Sequence, residues 1–294
     1  MIVVTGASGF LGRAVCAEFE RRGESIVRVG RGRGSDVTWP AGGEFGDDAL
    51  RKLDGARAVI HLSGETIAQR WTDARRRAIR ESRAGLTGVL ARGLARLAKP
   101  PGAFLSTSAV GIYGDRGDEW LDESSGRGTG FLADVATEWE AAADPARAAG
   151  IRVVHPRTGV ILGKGGGMIA QLALPFNLGG GATLGSGTQW MSWLSLEDYV
   201  TFVVRAVDDL ALRGPVNVVS PAPVTNATFT KALARALHRP AFLAVPAFAL
   251  ELAFGEMARE VLLGGQRVRP GVLTAASFPY RHPEIADALA AATS

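Results

Sequence analysis

Residues 2–23 read IVVTGASGFLGRAVCAEFERRG, and this stretch decides the fold class. Residues 2–4 form a short apolar run that ends at a Thr-Gly pair, which is typical of a buried parallel strand. From residue 10 to residue 22 apolar side chains recur at helical spacing, and Gly23 follows as a helix stop. These apolar positions are Leu11, Val15 and Phe19. The stretch therefore predicts a strand, a glycine-rich turn and a helix.

The turn between this strand and helix carries three glycines in a G-x-x-G-x-x-G pattern. Gly6 permits the tight turn, Gly9 lets backbone N–H groups approach a pyrophosphate, and Gly12 lets the helix pack close to the sheet. The phosphates would also meet the positive end of the helix dipole. The pattern predicts a dinucleotide-binding Rossmann unit; a strand–helix turn without a ligand is the alternative. The candidate cofactor contacts are Gly6, Ser8, Gly9, Phe10, Leu11 and Gly12.

The end of the second predicted strand, at residues 25–29, discriminates between the two nicotinamide dinucleotides. A site for NAD normally places Asp or Glu about 20 residues beyond the glycines, where the carboxylate binds the adenosine ribose. Here residues 28–33 read RVGRGR, so Arg31 occupies that distance from Gly12. A guanidinium at this point would bind a 2′-phosphate in bidentate fashion. The sequence favours NADP(H), with a solvated arginine turn as the alternative.

Strand and helix patterns alternate through the first half of the chain. The predicted strands beyond the first are at 25–29, 58–62, 104–107, 152–155 and 160–162, and later helices at 73–98 and 131–149. This alternation predicts an α/β fold with a Rossmann-type doubly wound parallel sheet. After about Gly163 the chain becomes glycine-rich. We expect a Rossmann domain over residues 1–220, with part of 163–190 contributing to the pocket, and a small substrate-side C-terminal domain over residues 221–294.

The composition argues against several other classes of protein. The net charge is only +4, and the densest basic stretch has no interleaved aromatics, so we interpret it as a solvated helix face rather than a nucleic-acid site. The single cysteine, Cys16, excludes an internal disulfide and suits the cytoplasm. No apolar stretch is long enough to span a membrane, and no Cys/His spacing predicts a metal site. The basic stretch consists of Arg75, Arg76, Arg77, Arg80 and Arg83.

Ordered stretches along almost the whole chain resemble one protein family. They are TGASGFLG (5–12), VIHLSGETIAQRWTDARRRAIRESR (59–83), STSAVGIYG (106–114), FLADVATEWEAAA (131–143), RTGVILGKGGG (157–167), LGSGTQWMSWLSLEDYV (184–200), NVVSPAPVTNATFTKALARALHRP (217–240) and GGQRVRPGVLTAASFPYRHPEIADAL (264–289). With these motifs the chain resembles the extended short-chain dehydrogenase/reductase superfamily, in its NAD-dependent epimerase/dehydratase group. It is most similar to the atypical YfcH-like branch, which has a C-terminal domain of unknown function.

The resemblance implies a Rossmann domain with NADP(H) and a substrate pocket between that domain and the C-terminal lobe. It implies no particular small-molecule substrate, and a homodimer is the expectation from the superfamily. Arg83 lies where the helix of ordinary members supplies an Asn, so it would reach the cofactor or an anionic substrate, with a surface ion pair as the alternative. Further candidate cofactor contacts are Leu62, Ser63, Gly64, Arg83 and Arg157.

The catalytic machinery of ordinary superfamily members is a Ser or Thr, a Tyr, and a Lys four residues after the Tyr. In this chain the residues four places after Tyr113, Tyr199 and Tyr280 are Gly117, Val203 and Glu284. The segment that resembles the Tyr-to-Lys helix, residues 131–143, places Leu132 and Ala136 at those positions, or Phe131 and Val135 in the neighbouring register. The sequence therefore predicts that this acid/base pair is missing.

The serine element of that machinery remains in the segment Ser106-Thr107-Ser108. We expect Ser108 to polarise a substrate oxygen, with Thr107 second, although a hydroxyl that only satisfies a strand end is the alternative. Tyr113 is a further candidate because it could donate to a substrate carbonyl. Glu138 or Glu140 could replace the missing base, but a solvated helix face is the favoured interpretation for both. His61 and His155 are interpreted as packed strand residues.

Two hypotheses of function follow from these patterns. The first is an NADP(H)-dependent oxidoreductase or epimerase-like enzyme of unknown substrate, with a water or another group moving the proton. The second is a redox sensor that binds NADP(H) and has lost catalysis, which the missing Tyr and Lys favour.

Overall fold

The computed structural model describes residues 1–32, 34–40 and 43–294. Its strands are β1 (Ile2–Thr5), β2 (Ile26–Gly30), β3 (Val37–Thr38), β4 (Ala58–His61), β5 (Ala103–Ser106), β6 (Ser108–Ala109), β7 (Trp120–Leu121), β8 (Arg152–Thr158), β9 (Val160–Leu162), β10 (Ala182–Leu184), β11 (Trp190–Met191), β12 (Trp193–Ser195), β13 (Gly214–Val218), β14 (Val224–Thr225), β15 (Leu243–Val245) and β16 (Arg267–Val268).

The helices are α1 (Phe10–Arg21), α2 (Asp47–Leu53), α3 (Asp73–Arg80), α4 (Leu86–Ala95), α5 (Phe131–Ala141), α6 (Asp144–Ala148), α7 (Gly167–Asn177), α8 (Leu196–Asp208), α9 (Asn226–Ala236), α10 (Ala247–Phe254), α11 (Gly271–Ala275) and α12 (Ile285–Thr293). π-Helical segments lie at Glu81–Gly85 and Ala258–Leu263, and a 3₁₀ turn lies at Val110–Tyr113.

The central sheet has the strand order β3-β2-β1-β4-β5-β8-β13, and every neighbouring pair in it is parallel. Strand β6 also pairs with β8 in parallel. Strands β1, β4 and β5 are buried along their whole length, which explains their continuous apolar runs. The order reverses between β1 and β4, and open α/β sheets bind ligands at the carboxyl ends of the strands at such a point.

Helices cover both faces of this sheet, which confirms the doubly wound α/β fold predicted from the sequence. Helices α1 and α8 pack on one face, where buried side chains include Val15, Phe19, Phe202 and Val203. Helices α2, α4 and α6 pack on the other face, where they include Leu53, Leu90, Leu94 and Ala146. Cys16 is buried in the first of these cores.

Two predicted helices are less regular than the apolar periodicity suggested. The predicted helix at 73–98 ends at Ala95 and contains the π-helical segment between α3 and α4. The predicted helix at 131–149 is divided into α5 and α6, because Pro145 lies in the first turn of α6, where its missing N–H group is tolerated. The edge strand β13 was not predicted at all.

A third core lies beyond the central sheet. It combines residues from α9 and α12 with residues of the preceding segment, among them Leu162, Phe176 and Trp193. Strand β9, predicted as part of the main sheet pattern, pairs with β12 instead. The boundary between residues 220 and 221 stays a prediction, but the lobe packs around side chains from both sides of it.

Candidate dinucleotide-binding site

The glycine turn after β1 has a backbone that larger residues would not adopt. Gly6 has φ +67°, and a Cβ there would lie 2.9 Å from the backbone carbonyl of Leu62 at the end of β4. A Cβ on Gly12 would overlap the Gly6 carbonyl oxygen and would lie 2.7 Å from the Ala7 Cα. The close approach at Gly12 is thus to the turn itself, whereas the sequence analysis assigned it to contact between helix and sheet.

The N-terminus of α1 opens toward the end of the sheet without a cap. Gly9 begins the helix in an extended conformation, and no side chain caps it. The Gly9 N–H closes the turn onto the Gly6 carbonyl at 2.9 Å, and the Arg13 N–H is the first to bond within the helix. Within the part of the chain that the structure describes, the amides of Phe10, Leu11 and Gly12 therefore have no acceptor. With no acidic residue in the first turn, these amides suit an anion.

A cleft of about 300 Å³ lies at the switch point between β1 and β4. Its lining includes seven of the predicted cofactor contacts, namely Gly6, Ser8, Gly9, Arg31, Leu62, Ser63 and Gly64. The sequence analysis missed the other five lining residues, Gly30, Gly32, Trp39, Ser82 and Leu86. Trp39 directly follows the two-residue strand β3 and lies outside any regular element, where no period of two or 3.6 residues marks it. Phe10 turns away and packs against the Gly163–Gly167 segment.

A buried hydrogen-bond network fixes the β4 end of the cleft. The Thr5 Oγ1 accepts hydrogen bonds from the Leu62 N–H (3.1 Å) and from the Ser63 hydroxyl (3.0 Å). Its own proton is therefore donated to the His61 Nδ1 at 2.6 Å, which leaves the His61 Nε2–H to donate to Thr87 at 2.9 Å. Complete burial lowers the pKa of His61 to about 3, so the ring stays neutral. His61 is a packed residue, as the sequence analysis interpreted it.

Arg31 lies at the end of β2 with its side chain 77% exposed, beside the cleft. Its guanidinium contacts the Glu65 carboxylate at 3.3 Å, and Glu65 also contacts Arg75 at 3.5 Å. The exposed pair is weak, so an incoming phosphate could replace the carboxylate. Arg33, the next arginine of the predicted turn, lies outside the described residues.

A second network surrounds the predicted catalytic hydroxyls. The Ser108 hydroxyl donates to the Glu140 carboxylate at 2.7 Å, and Arg157 binds the same carboxylate through two N–H groups at 2.8 and 2.9 Å. Burial pushes the pKa of Glu140 upward, but the hydrogen bonds and charge of Arg157 outweigh it, so the pKa lies below its ordinary value. Arg157 also donates to the Tyr113 hydroxyl at 3.0 Å, which in turn donates to the Asn217 side chain at 2.7 Å.

This network bears on four of the predicted roles. Tyr113 is fully buried, burial raises its pKa, and its hydroxyl proton is donated to Asn217, so in this geometry that proton is not directed at a substrate. Arg157 donates three of its N–H groups to Glu140 and Tyr113, and its contact with a cofactor stays a prediction. Glu140 is a buried ion-pair partner and not a solvated helix residue. Ser108 is buried with its proton directed at Glu140, so it has no proton for a carbonyl.

The hydroxyls at the end of β5 behave differently. The Oγ atoms of Ser106 and Thr107 are buried and make no well-formed hydrogen bond among the described residues, although the buried Tyr199 hydroxyl lies near that of Thr107. A buried hydroxyl without a hydrogen-bond partner is uncommon, and a bound ligand or water would supply one. Thr107 follows the carboxyl end of β5, which is where open α/β sheets bind ligands. Of the predicted catalytic hydroxyls, Thr107 is therefore the one that a ligand could satisfy.

The arginine-rich helix presents a partly solvated face, as predicted, on which some arginines make ion pairs and cation–π contacts within the chain. Arg76 pairs with Glu256, and Arg80 pairs with Glu138 of α5 at 2.7 Å. Both guanidinium groups also lie over the ring of Phe131. These contacts join α3 to α5 and to the segment after α10. The charge is thus largely compensated within the chain.

No group of three or more His, Cys, Asp or Glu side chains within residues 1–32, 34–40 and 43–294 could hold a metal ion. Over the same ranges, no helix has the length and apolar character needed to cross a bilayer.

Family models match both parts of the chain. The model described as "NAD dependent epimerase/dehydratase family" matches residues 2–219, and the model described as "Domain of unknown function (DUF1731)" matches residues 245–292. The chain therefore belongs to the NAD dependent epimerase/dehydratase family. This confirms the resemblance drawn from the sequence, including the C-terminal domain of unknown function.

Individual members of that family resemble this chain over nearly its whole length. The epimerase family protein Mb2239 of Mycobacterium bovis is 42% identical over 299 residues, which covers 100% of this chain and 98% of that protein. The human epimerase family protein SDR39U1 is 33% identical over 295 residues, which covers 98% of each. A crystal structure of human SDR39U1 (isoform 2) with NADPH matches with a TM-score of 0.90 and 31% identity, covering 99% of this chain and 98% of that chain.

Proposed function

We propose that this chain is an NADP(H)-dependent oxidoreductase or epimerase-like enzyme that binds its cofactor along the cleft between β1 and β4. The observation that carries the proposal is the uncapped start of α1 beside a turn built from glycines. The amides of Phe10, Leu11 and Gly12 would hold the pyrophosphate, because they are free donors at the positive end of the helix dipole. The NADPH in the crystal structure of human SDR39U1 supports the same choice of cofactor.

Arg31 would select NADP(H) over NAD(H). Its guanidinium borders the cleft at the end of β2, where the adenosine ribose of a dinucleotide lies in this class of fold. On binding, Arg31 would exchange Glu65 for the 2′-phosphate, a dianion that a planar guanidinium can bind through two hydrogen bonds. Leu62, Ser63 and Gly64 would form the opposite wall of the site.

The reacting end of the site offers few groups for proton transfer. A bound nicotinamide would donate or accept a hydride. Thr107 would supply a hydroxyl to cofactor or substrate, since its Oγ makes no well-formed hydrogen bond among the described residues. Ser108 would position the strand end through Glu140 and would not touch the reacting atoms. In either predicted register of α5, Leu132 and Ala136 or Phe131 and Val135, the helix would carry neither Tyr nor Lys at those positions, so a water or a substrate hydroxyl would move the proton.

Substrate panels test the catalytic half of this proposal. The purified protein is assayed for NADPH oxidation with a broad set of aldehydes and ketones, and for NADP⁺ reduction with the matching alcohols. We expect slow turnover with at least one pair, and Thr107→Val should reduce kcat more than it reduces NADPH affinity. No turnover with any compound, despite saturable NADPH binding, would contradict an enzymatic function.

A second candidate, a redox sensor that reads the ratio of NADPH to NADP⁺, is favoured by one observation. Ser108, Tyr113 and the aliphatic face of α5 offer no exposed acid or base. A sensor needs a surface that differs between the two cofactor states. Hydrogen exchange with saturating NADPH or NADP⁺ tests it, because identical protection along the whole chain would exclude such a surface.

We also propose a cytoplasmic location and a homodimer, as the sequence analysis expected. The sole cysteine, Cys16, is buried, and burial raises the pKa of its thiol, so it suits a reducing compartment and gives no disulfide. Analytical ultracentrifugation measures the mass of the particle directly, and a monomer at micromolar concentration would contradict the homodimer.

A further inference from the structure

Arg83 lies at the centre of the π-helical segment between α3 and α4. Such segments inside α-helices occur frequently at functional sites. Its guanidinium carbon lies 5.3 Å from the centroid of the Trp139 ring on α5. Gly64, which lines the cleft, lies next to the same guanidinium: a Cβ on Gly64 would be 3.5 Å from the guanidinium carbon.

This guanidinium has no anionic partner among the described residues. Its one hydrogen bond is long, 3.4 Å from Nη1 to the Ile79 carbonyl. Burial lowers its pKa to about 10, against the opposing charge of Glu65. The charge of Glu65 acts on this guanidinium only from a distance, because the Glu65 carboxylate contacts Arg31 and Arg75.

The neighbouring arginines differ from Arg83 in having carboxylate partners. Arg75, Arg76 and Arg80 of α3 each have a carboxylate within salt-bridge distance, and Arg157 has a bidentate one. Arg83 is partly buried like Arg75 and Arg76, and burial lowers its pKa, yet among the described residues it alone in this group lacks a counterion. A partly buried cation without an anion is costly, and an anionic ligand would remove that cost.

We propose that Arg83 binds a carboxylate or phosphate group of the substrate. The inference rests on the proposed function, because the cleft face at Gly64 is the one that the cofactor would share. The pyrophosphate would be held by the α1 amides and the 2′-phosphate by Arg31, so neither cofactor anion needs Arg83. The contact with Trp139 places Arg83 beside α5. Trp139 directly precedes Glu140, the residue that accepts the hydrogen bond from Ser108.

The substrate class that follows is a small anionic alcohol or carbonyl compound, an acid or a phosphate ester. Of the three roles that the sequence left for Arg83, a surface ion pair has no carboxylate within salt-bridge distance among the described residues, and of cofactor contact and substrate contact the geometry favours the second. The planar guanidinium, close to an aromatic ring, is suited to bind two oxygens of one anion.

Calorimetric titration of the NADPH-saturated protein with two simple anions, inorganic phosphate and malonate, tests this role. We expect one of them to bind in the millimolar range, and the Arg83→Gln variant to weaken that binding at least about tenfold, since hydrogen bonds to a charged group are worth roughly 1.5–3 kcal/mol. Arg77→Gln is the matched control, an exposed arginine of α3, and should change affinity less than about twofold. NADPH affinity should stay within about threefold of wild type in both variants.

Arg83→Lys serves if Arg83→Gln does not fold, because it keeps the charge and loses the planar fork; it should weaken anion binding by an intermediate factor. A tenfold loss of NADPH affinity in Arg83→Gln would instead make Arg83 a cofactor residue. Absence of anion binding to the NADPH-loaded wild type up to about 50 mM would overturn the inference, as would equal anion affinity in the variant. If wild type does not bind NADPH, the proposed function fails first, and titrating the cofactor-free protein and its Arg83→Gln variant still decides the anion site.

Discussion

Replacement of Glu140 by Gln tests whether the network behind the β5 end is a buried ion pair. The carboxylate receives hydrogen bonds from Ser108 and twice from Arg157, and the two charged side chains are only 15% and 10% exposed. The variant leaves the guanidinium without its counterion, and breaking a buried pair in this way costs about 3–5 kcal/mol. We expect a loss of about 3 kcal/mol, at the low end of that range, because a Gln oxygen at the Oε1 position still accepts two of the three hydrogen bonds, those from Ser108 and from the Arg157 Nε.

Urea unfolding followed by circular dichroism measures this loss. The matched control is Glu138→Gln, two residues earlier on α5, whose 44% exposed side chain pairs with Arg80. An exposed pair is worth less than about 1 kcal/mol, so this variant should be nearly neutral. Adding Arg157→Met to Glu140→Gln should recover part of the lost stability, because it removes the unpaired charge. Equal destabilisation by the two Gln variants would refute the reasoning.

Three further predictions concern the cofactor end of the chain. His61 has a pKa of about 3 in the folded protein against 6.5 in the unfolded chain. Its contribution to stability is therefore complete above pH 6.5 and declines by about 1.4 kcal/mol per pH unit as the pH falls toward 3. Urea unfolding at several pH values should show that the free energy of unfolding depends less steeply on pH in His61→Gln, and an unchanged pH dependence would contradict this. Gly12→Ala should cost about 1–3 kcal/mol and weaken NADPH binding, because its Cβ would overlap the Gly6 carbonyl, whereas Gly126→Ala, which meets nothing within 4 Å, should do neither. Arg31→Gln should weaken NADPH binding about tenfold or more and leave NADH binding within about twofold; equal losses would remove Arg31 from the 2′-phosphate site.

The cofactor end could be predicted because its signals are local. The turn from β1 to α1 depends on residues within one short stretch, where glycine spacing and apolar periodicity have direct structural causes. The second wall of the cleft was found from its resemblance to a family, since Leu62 and Gly64 carry no such pattern themselves. Trp39 was missed because it lies in irregular structure, and irregular structure has no period.

The reacting end could not be predicted because its contacts join residues far apart in the chain. Ser108 meets Glu140 and Arg157 only after β6, α5 and β8 are assembled, so the direction of the Ser108 proton is invisible in the sequence. Burial of Tyr113 likewise depends on Asn217 from the unpredicted strand β13. The π-helical segment that holds Arg83 reads as uninterrupted helix, because one extra residue in a turn hardly changes the apolar spacing.

The central claim is that the turn after β1 and the guanidinium of Arg31 form a site for NADP(H). Isothermal titration of the purified protein with NADPH, and in parallel with NADH, tests it most directly. We expect saturation at one NADPH per chain in the micromolar range, with NADH weaker by at least about tenfold. No heat of binding up to millimolar NADPH, or equal affinity for both dinucleotides, would contradict it.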